Sequence, residues 1–217
     1  MVLPHELLIV YDFEDDPTVP VARRLAQRWP HLRPTLNDLG RGVLNAIKVG
    51  FREARGDAVL VTMADASDDP ATIPSMCEKL AEGYDLVCAS RYMRGGRQAG
   101  GPIVKSLLSR LAGLSLHWLA GIPTHDATNS FKLYRRRLLE EIVIESRGGF
   151  EVGLELTVKS HLRGYRIAEL PTTWHDRREG TSNFKTVRWL PQYLRWYWLG
   201  IRGAGARATH SPLSPKR

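Results

Sequence analysis

Cysteine is nearly absent: Cys77 and Cys88 are the only two in 217 residues. That excludes a disulfide framework and any metal site built on cysteine spacing, and it leads us to expect a reducing, cytoplasmic setting. Long apolar runs are missing as well. No stretch approaches the roughly 20 apolar residues that a bilayer-crossing helix needs, so the chain is expected not to span a membrane, though it could lie on one. The opening Met1-Val2-Leu3-Pro4-His5-Glu6 lacks the apolar run and cleavage pattern of a signal peptide. Acidic residues are in short supply: 23 Asp and Glu face 31 Lys and Arg, for a net charge of +8. A basic excess suits an anionic partner, whether nucleic acid, an acidic membrane surface or a phosphorylated substrate. No nucleic-acid recognition motif accompanies it, so nucleic acid is set aside. There is no internal repeat.

What is present reads as one globular domain, with 43% hydrophobic and 25% charged residues. Leu7-Leu8-Ile9-Val10-Tyr11 reads as a buried strand that ends in acidic residues. A helix follows from Val19 to Trp29, and Gly40-Arg41-Gly42 opens another that runs to about Ala54. Residues 57–63 form a second apolar strand, again ending in acids, and 70–81 form a helix that Pro70 and the preceding aspartates start well. Residues 85–90 give a third strand. This alternation predicts an α/β domain with a mainly parallel sheet, whose ligand crevice lies outside the carboxyl ends of the strands. Both acidic clusters fall there. Further on, the pattern predicts a helix over 103–119, a strand over 128–134, a helix over 154–162 and a strand over 166–170. We place a catalytic domain over 1–188, an aromatic helix over 189–202 and a disordered tail over 203–217.

The richest local feature is Thr62-Met63-Ala64-Asp65-Ala66-Ser67-Asp68-Asp69-Pro70. Carboxylates at the end of a buried strand suit a hard divalent cation, Mg2+ or Mn2+, which prefers oxygen ligands and bridges to phosphates. Asp65, first after the strand, is the candidate ligand. Asp68 and Asp69 read as caps for the helix that follows.

From here the chain resembles the family 2 glycosyltransferases of the dolichol-phosphate mannose synthase type. The matching segments are Gly56 to Pro70, Ser90-Arg91-Tyr92 with Gly95-Gly96, His125-Asp126-Ala127-Thr128-Asn129-Ser130-Phe131-Lys132, Gly164 to Pro171, and Arg177-Arg178-Glu179-Gly180-Thr181-Ser182. They occur in order over about residues 6 to 200. The resemblance implies a GT-A-like (Rossmann-like) fold with helices on both sides of the sheet. It implies transfer of a hexosyl group, with inversion, from a nucleotide sugar of the GDP-mannose or UDP-glucose type to a polyprenyl phosphate. Residue by residue, it places Asp12 at the nucleoside, Asp65 and Ser67 at the metal, and Arg177 and Ser182 in a loop over the diphosphate. Arg91, Lys105 and Ser109 fall at the acceptor phosphate, and Asp126 near the sugar and acceptor. Asp65, Asp126 and Arg177 are thus the catalytic candidates.

Those assignments agree with elementary chemistry. Two cations and a hydroxyl are natural partners of a phosphate monoester, and Lys105 and Ser109, four apart, share one helix face. Taken alone, Arg91 and Lys105 read more readily as a solvated basic face. An acceptor that is already anionic needs positioning more than a base. Met63 stands where the family has the first acid of Asp-x-Asp, Tyr11 replaces another acid, and Asn183 stands where a lysine often follows the loop serine, with Lys185 as a substitute. The family's first strand has no counterpart before Pro4, from which we expect the given start to be internal to a longer protein. The Trp189-to-Ile201 segment, rich in Trp and Tyr with arginine at its edges, reads as a membrane-interface helix or as a helix packed on the domain. A soluble acceptor, or an inactive binding relative, remain the rival readings. Oligomeric state is not legible.

Overall fold

A computed structural model describes residues 4–176 and 186–209. Its first unit is β1 (Leu7–Tyr11), α1 (Thr18–Arg28) and β2 (Leu32–Leu36), with the two strands parallel and Leu7 opposite Leu32. Strand β2 has no sequence expectation behind it. Pro34 sits in its middle and reads against a strand, because proline cannot donate to a ladder. Here β2 pairs with β1 alone, and such edge positions are where proline is tolerated.

After α2 (Val43–Glu53) comes a four-stranded sheet in the order β3 (Ala58–Val61), β6 (Lys132–Arg135), β4 (Leu86–Ser90), β7 (Ile167–Pro171). Strands β4 and β7 are parallel, but β6 runs antiparallel to both β3 and β4. A third, two-stranded parallel piece joins β5 (Arg97–Ala99) to β8 (Thr173–His175). Among the described residues, three of the five strand pairs are therefore parallel. The expected parallel character holds, with one reversed strand in the middle of the main sheet.

Strand β4 is buried from end to end and sorts its side chains by the two-residue period of a strand. Leu86 and Cys88 face α2 and α6 (Val152–Leu162), in a core with Leu44, Tyr134, Leu138 and Leu156. Val87 and Ala89 face α3 (Ile73–Ala81) through Met76 and Leu80. The two cysteines are free thiols, and burial pushes the Cys88 thiol up to about 12. A short helix, α5 (Arg136–Glu141), follows β6.

A third apolar cluster lies on the far side of α6, between α4 (Ile103–Ala120) and α7 (Thr186–Thr209). It contains Leu116, Ala120, Ile122, Leu154, Val158 and Trp196. The C-terminal helix reaches beyond 189–202 at both ends: it begins at Thr186 and continues to Thr209, into the segment expected as tail. Residues 210–217 lie outside the described residues. Its aromatic face is divided. Trp196 is only 2% exposed and donates its indole N–H to Ser146 Oγ at 3.1 Å, whereas Leu190, Leu194 and Trp198 face outward. The face that carries Trp196 is thus packed on the domain.

Candidate active site

The site residues collect where the sheet strands end. At the end of β3 the chain turns sharply. Ala66 has φ 56°, the one non-glycine with positive φ among the described residues. A left-handed alanine costs about 1 kcal/mol, and such strain gathers at ligand-holding loops. The turn lets Ser67 N–H donate to Asp65 Oδ1 at 3.1 Å. It also folds Asp68 back onto the strand end, where its Oδ2 accepts from Thr62 Oγ1 at 3.0 Å and from Met63 N–H at 3.2 Å. Asp69 alone acts as the cap, accepting from Ala71 N–H at 3.0 Å at the start of a 3-10 turn, Pro70–Thr72. The expectation that both aspartates cap the helix is corrected for Asp68, whose carboxylate points the other way along the chain. Burial raises the Asp68 carboxyl above its ordinary range, and the Asp65 charge adds to this. Bonds from Met63 and Thr62 and the charge of Arg91 oppose it.

The segment after β7 lies against this loop. His175 N–H donates to Ser67 O at 2.9 Å, Asp68 and Trp174 form an antiparallel bridge, and the Thr72 and Thr172 hydroxyls bond at 3.0 Å. Ser67 is 1% exposed, and its Oγ has no hydrogen-bond partner among the described residues. A buried orphan oxygen beside two carboxylates fits a hard cation, so Asp65, Asp68 and Ser67 are the residues that could hold one. No group of three His, Cys, Asp or Glu side chains converges among the described residues. A cation that shares its shell with phosphate oxygens commonly has only one or two protein carboxylates.

At the end of β4, Arg91 enters a second cluster. Its Nε donates to Asp126 Oδ2 at 2.7 Å and one terminal nitrogen to Asp126 Oδ1 at 2.9 Å, a bidentate pair. Arg91 N–H also donates to Asp126 Oδ2, at 3.1 Å. The same terminal nitrogen donates to Ser109 Oγ at 3.1 Å, and Ser109 shares a 2.6 Å hydroxyl bond with Thr128. Burial disfavours the Arg91 charge, but Asp126 outweighs it and holds the guanidinium above its usual value. Asp126 is 0% exposed. Its turn is anchored by Glu169 on β7, which accepts from Thr124 Oγ1, His125 N–H and His125 Nδ1 at 2.9, 2.5 and 2.7 Å. Gly113 lets α4 press against the same turn. Lys105, half-buried, sits one turn before Ser109 on α4.

The structure therefore brings Arg91, Ser109 and Asp126 together and adds Thr128 and Glu169, which sequence reasoning missed. Thr128 lies inside the recognised His125-to-Lys132 segment, but nothing in its type singles it out. Glu169 reads simply as a polar position on a strand. The Asp65-to-Asp69 loop lies near enough to the Arg91 cluster for the Arg91 and Asp68 charges to act on each other. Asp12 stands apart at the end of β1. Its oxygens accept from Asn37 Nδ2 at 2.7 Å and Gly42 N–H at 2.9 Å, which ties β1 to the turn that opens α2. Arg177 and Ser182 lie outside the described residues.

Comparison with known proteins places this geometry. The glycosyl transferase family 2 profile matches residues 2–143. A polyprenol monophosphomannose synthase of Mycolicibacterium smegmatis is 31% identical over 211 residues, covering 93% of this chain and 78% of that protein. A dolichol-phosphate mannosyltransferase of Pyrococcus furiosus is 27% identical, covering 89% of this chain, which spans only 54% of that relative. Among solved structures, glucosyl-3-phosphoglycerate synthase from Mycobacterium tuberculosis, in complex with Mn2+, UDP-glucose and phosphoglyceric acid, aligns with a TM-score of 0.64 at 17% identity. The alignment covers 92% of this chain and 69% of that one, a likeness of fold. By profile, relatives and fold, the chain belongs to glycosyl transferase family 2 and is a GT-A-fold glycosyltransferase of the dolichol-phosphate mannose synthase type.

Proposed function

We propose that this protein moves a hexosyl group from a nucleoside diphosphate sugar to a polyprenyl phosphate, inverting the anomeric carbon. The observation that carries the reading is the buried Arg91–Asp126 pair, which opens on Ser109 at the N-terminal half of α4. That helix leaves an apolar stripe uncovered. Ile103 is 83% exposed, Val104, Leu107, Leu108 and Leu111 are exposed as well, and Trp118 near its far end is 76% exposed. An acceptor with an anionic head and an apolar tail matches a basic group beside an apolar helix face. The names of the M. smegmatis and P. furiosus relatives, a polyprenol monophosphomannose synthase and a dolichol-phosphate mannosyltransferase, support the same acceptor.

In this reading Arg91, Lys105 and Ser109, with Thr128, hold the acceptor phosphate. Asp126, fully buried, is a positioning group that fixes the guanidinium. A phosphate oxygen attacks the anomeric carbon as the bond to the donor diphosphate breaks, and a single displacement of this kind inverts configuration. The attacking oxygen is already ionised, so no base is required. Asp65 and Ser67 would hold Mg2+ or Mn2+, which would neutralise charge on the departing diphosphate. The family resemblance assigns Arg177 and Ser182 to that diphosphate and Asp12 to the nucleoside. The test is to offer GDP-mannose and UDP-glucose, each with polyprenyl phosphate and a divalent metal, and to count sugar in the lipid extract.

We place the protein at the cytoplasmic face of a membrane, as a peripheral contact made by α4 with the outward side of α7. No helix among the described residues is long and apolar enough to cross a membrane. Because Trp196 belongs to the core, deleting α7 would unpack the domain, and the informative change lies on α4. Changing Leu107 and Leu111 together to aspartate removes exposed apolar surface and adds charge. We expect it to lower co-sedimentation with anionic vesicles at least tenfold with little effect on melting temperature. Unchanged vesicle binding would contradict this contact.

A further inference from the structure

The first acid of the family's Asp-x-Asp motif is Met63 here, which leaves the cation loop one carboxylate short. Asp68, five residues on, lies back against that same position. Its Oδ2 is 3.2 Å from Met63 N–H and 3.0 Å from Thr62 Oγ1. The left-handed Ala66 makes the reversal, and the backbone of the 172–176 segment holds it through the Asp68–Trp174 bridge and the bond from His175 to Ser67. Asp68 is half-buried, and Asp65 stands three residues before it on the same turn. Ser67, between the two in the chain, keeps a buried Oγ with no partner among the described residues. Two carboxylates and an orphan hydroxyl on one strained turn form an oxygen donor set that a divalent cation completes.

We propose that Asp68 supplies the second carboxylate of a divalent-cation site built on Asp65, in the place that Met63 leaves without an acid. Resting on the glycosyltransferase reading, it adds a ligand from outside the motif. Asp69, which caps the 3-10 turn, has no part in it.

The test measures Mn2+ directly, by the loss of the free-ion electron paramagnetic resonance signal. The full chain is titrated with Mn2+ in the presence of GDP or UDP, and wild type is compared with Asp65→Asn, Asp68→Asn and Asp69→Asn. Melting temperatures are taken with and without Mn2+. Asparagine keeps an oxygen that can accept from Thr62 and Met63, so Asp68→Asn should fold. The expected result is a loss of Mn2+ affinity of at least tenfold in both Asp65→Asn and Asp68→Asn, with Asp69→Asn unchanged. The metal-free melting temperature of Asp68→Asn should be no lower than that of wild type, while its gain on adding Mn2+ and nucleotide disappears. Wild-type affinity in Asp68→Asn with loss in Asp65→Asn would overturn the proposal and leave the metal-dependent transferase reading standing. A lowered metal-free melting temperature with unchanged affinity would make Asp68 a structural residue only. No Mn2+ binding by the wild type with either nucleotide would overturn both.

Discussion

Arg91→Ala is expected to lower the stability of the fold by about 3–5 kcal/mol, because removing one member of a buried ion pair strands the other. Asp126 would be left without its bidentate partner at a position with no solvent exposure. For a domain of this size the loss corresponds to a drop of roughly ten degrees in melting temperature, measured by thermal unfolding followed by circular dichroism. The paired change Arg91→Met with Asp126→Leu removes both charges and replaces them with side chains of similar bulk. It should recover most of the stability, since buried pairs exchanged for apolar groups are often neutral. It should recover none of the sugar transfer, since the guanidinium that bonds Ser109 is gone. Activity in the double variant would mean that the pair only holds the fold together.

Gly113→Ala is expected to be nearly as damaging, although alanine in a helix interior ordinarily stabilises by up to about 1 kcal/mol over glycine. A Cβ at 113 would meet His125 O at 2.1 Å, His125 C at 3.0 Å and Asp126 Cα at 3.3 Å. These are backbone atoms of the turn that carries Asp126, so either α4 or the turn must move. Overpacking of this kind costs about 1–3 kcal/mol, or more where backbone has to shift. The displaced turn carries the Arg91 clamp with it, so transfer activity should fall further than stability. Gly50→Ala in α2 is the control. Its Cβ would find nothing closer than Val10 Cγ2 at 3.8 Å, and the protein should melt at the same temperature or slightly higher. Equal behaviour of the two variants would contradict the close docking of α4 on the site.

These cases show what a sequence conveys and what it withholds. Apolar runs and periods located β1, β3, β4, α2 and α4 to within a few residues, because burial imposes those periods directly. Direction is another matter. That β6 runs antiparallel between β3 and β4 has no signature in Lys132-Leu133-Tyr134-Arg135, since a two-residue period is the same in either sense. Strand β2 was hidden by Pro34. The ordered motifs pointed to Arg91, Ser109 and Asp126, and those three do meet. What their types could not tell is that Arg91 is already clamped by Asp126. Nor could they tell that Asp68 folds back toward Met63 while its neighbour Asp69 caps forward. Likewise, an apolar helix pattern announces α4, but only packing shows that Leu116 faces inward while Ile103 and Trp118 stay uncovered.

The most direct measurement is the transfer assay itself, run with GDP-mannose and UDP-glucose, with and without polyprenyl phosphate and with Mn2+ or chelator. The predicted result is sugar in the lipid phase from one of the two donors, dependent on both the lipid phosphate and the metal, and absent in the Arg91→Met, Asp126→Leu double variant. Transfer only to a water-soluble acceptor, or lipid product that persists without the Arg91 charge, would contradict a polyprenyl phosphate acceptor held at Arg91.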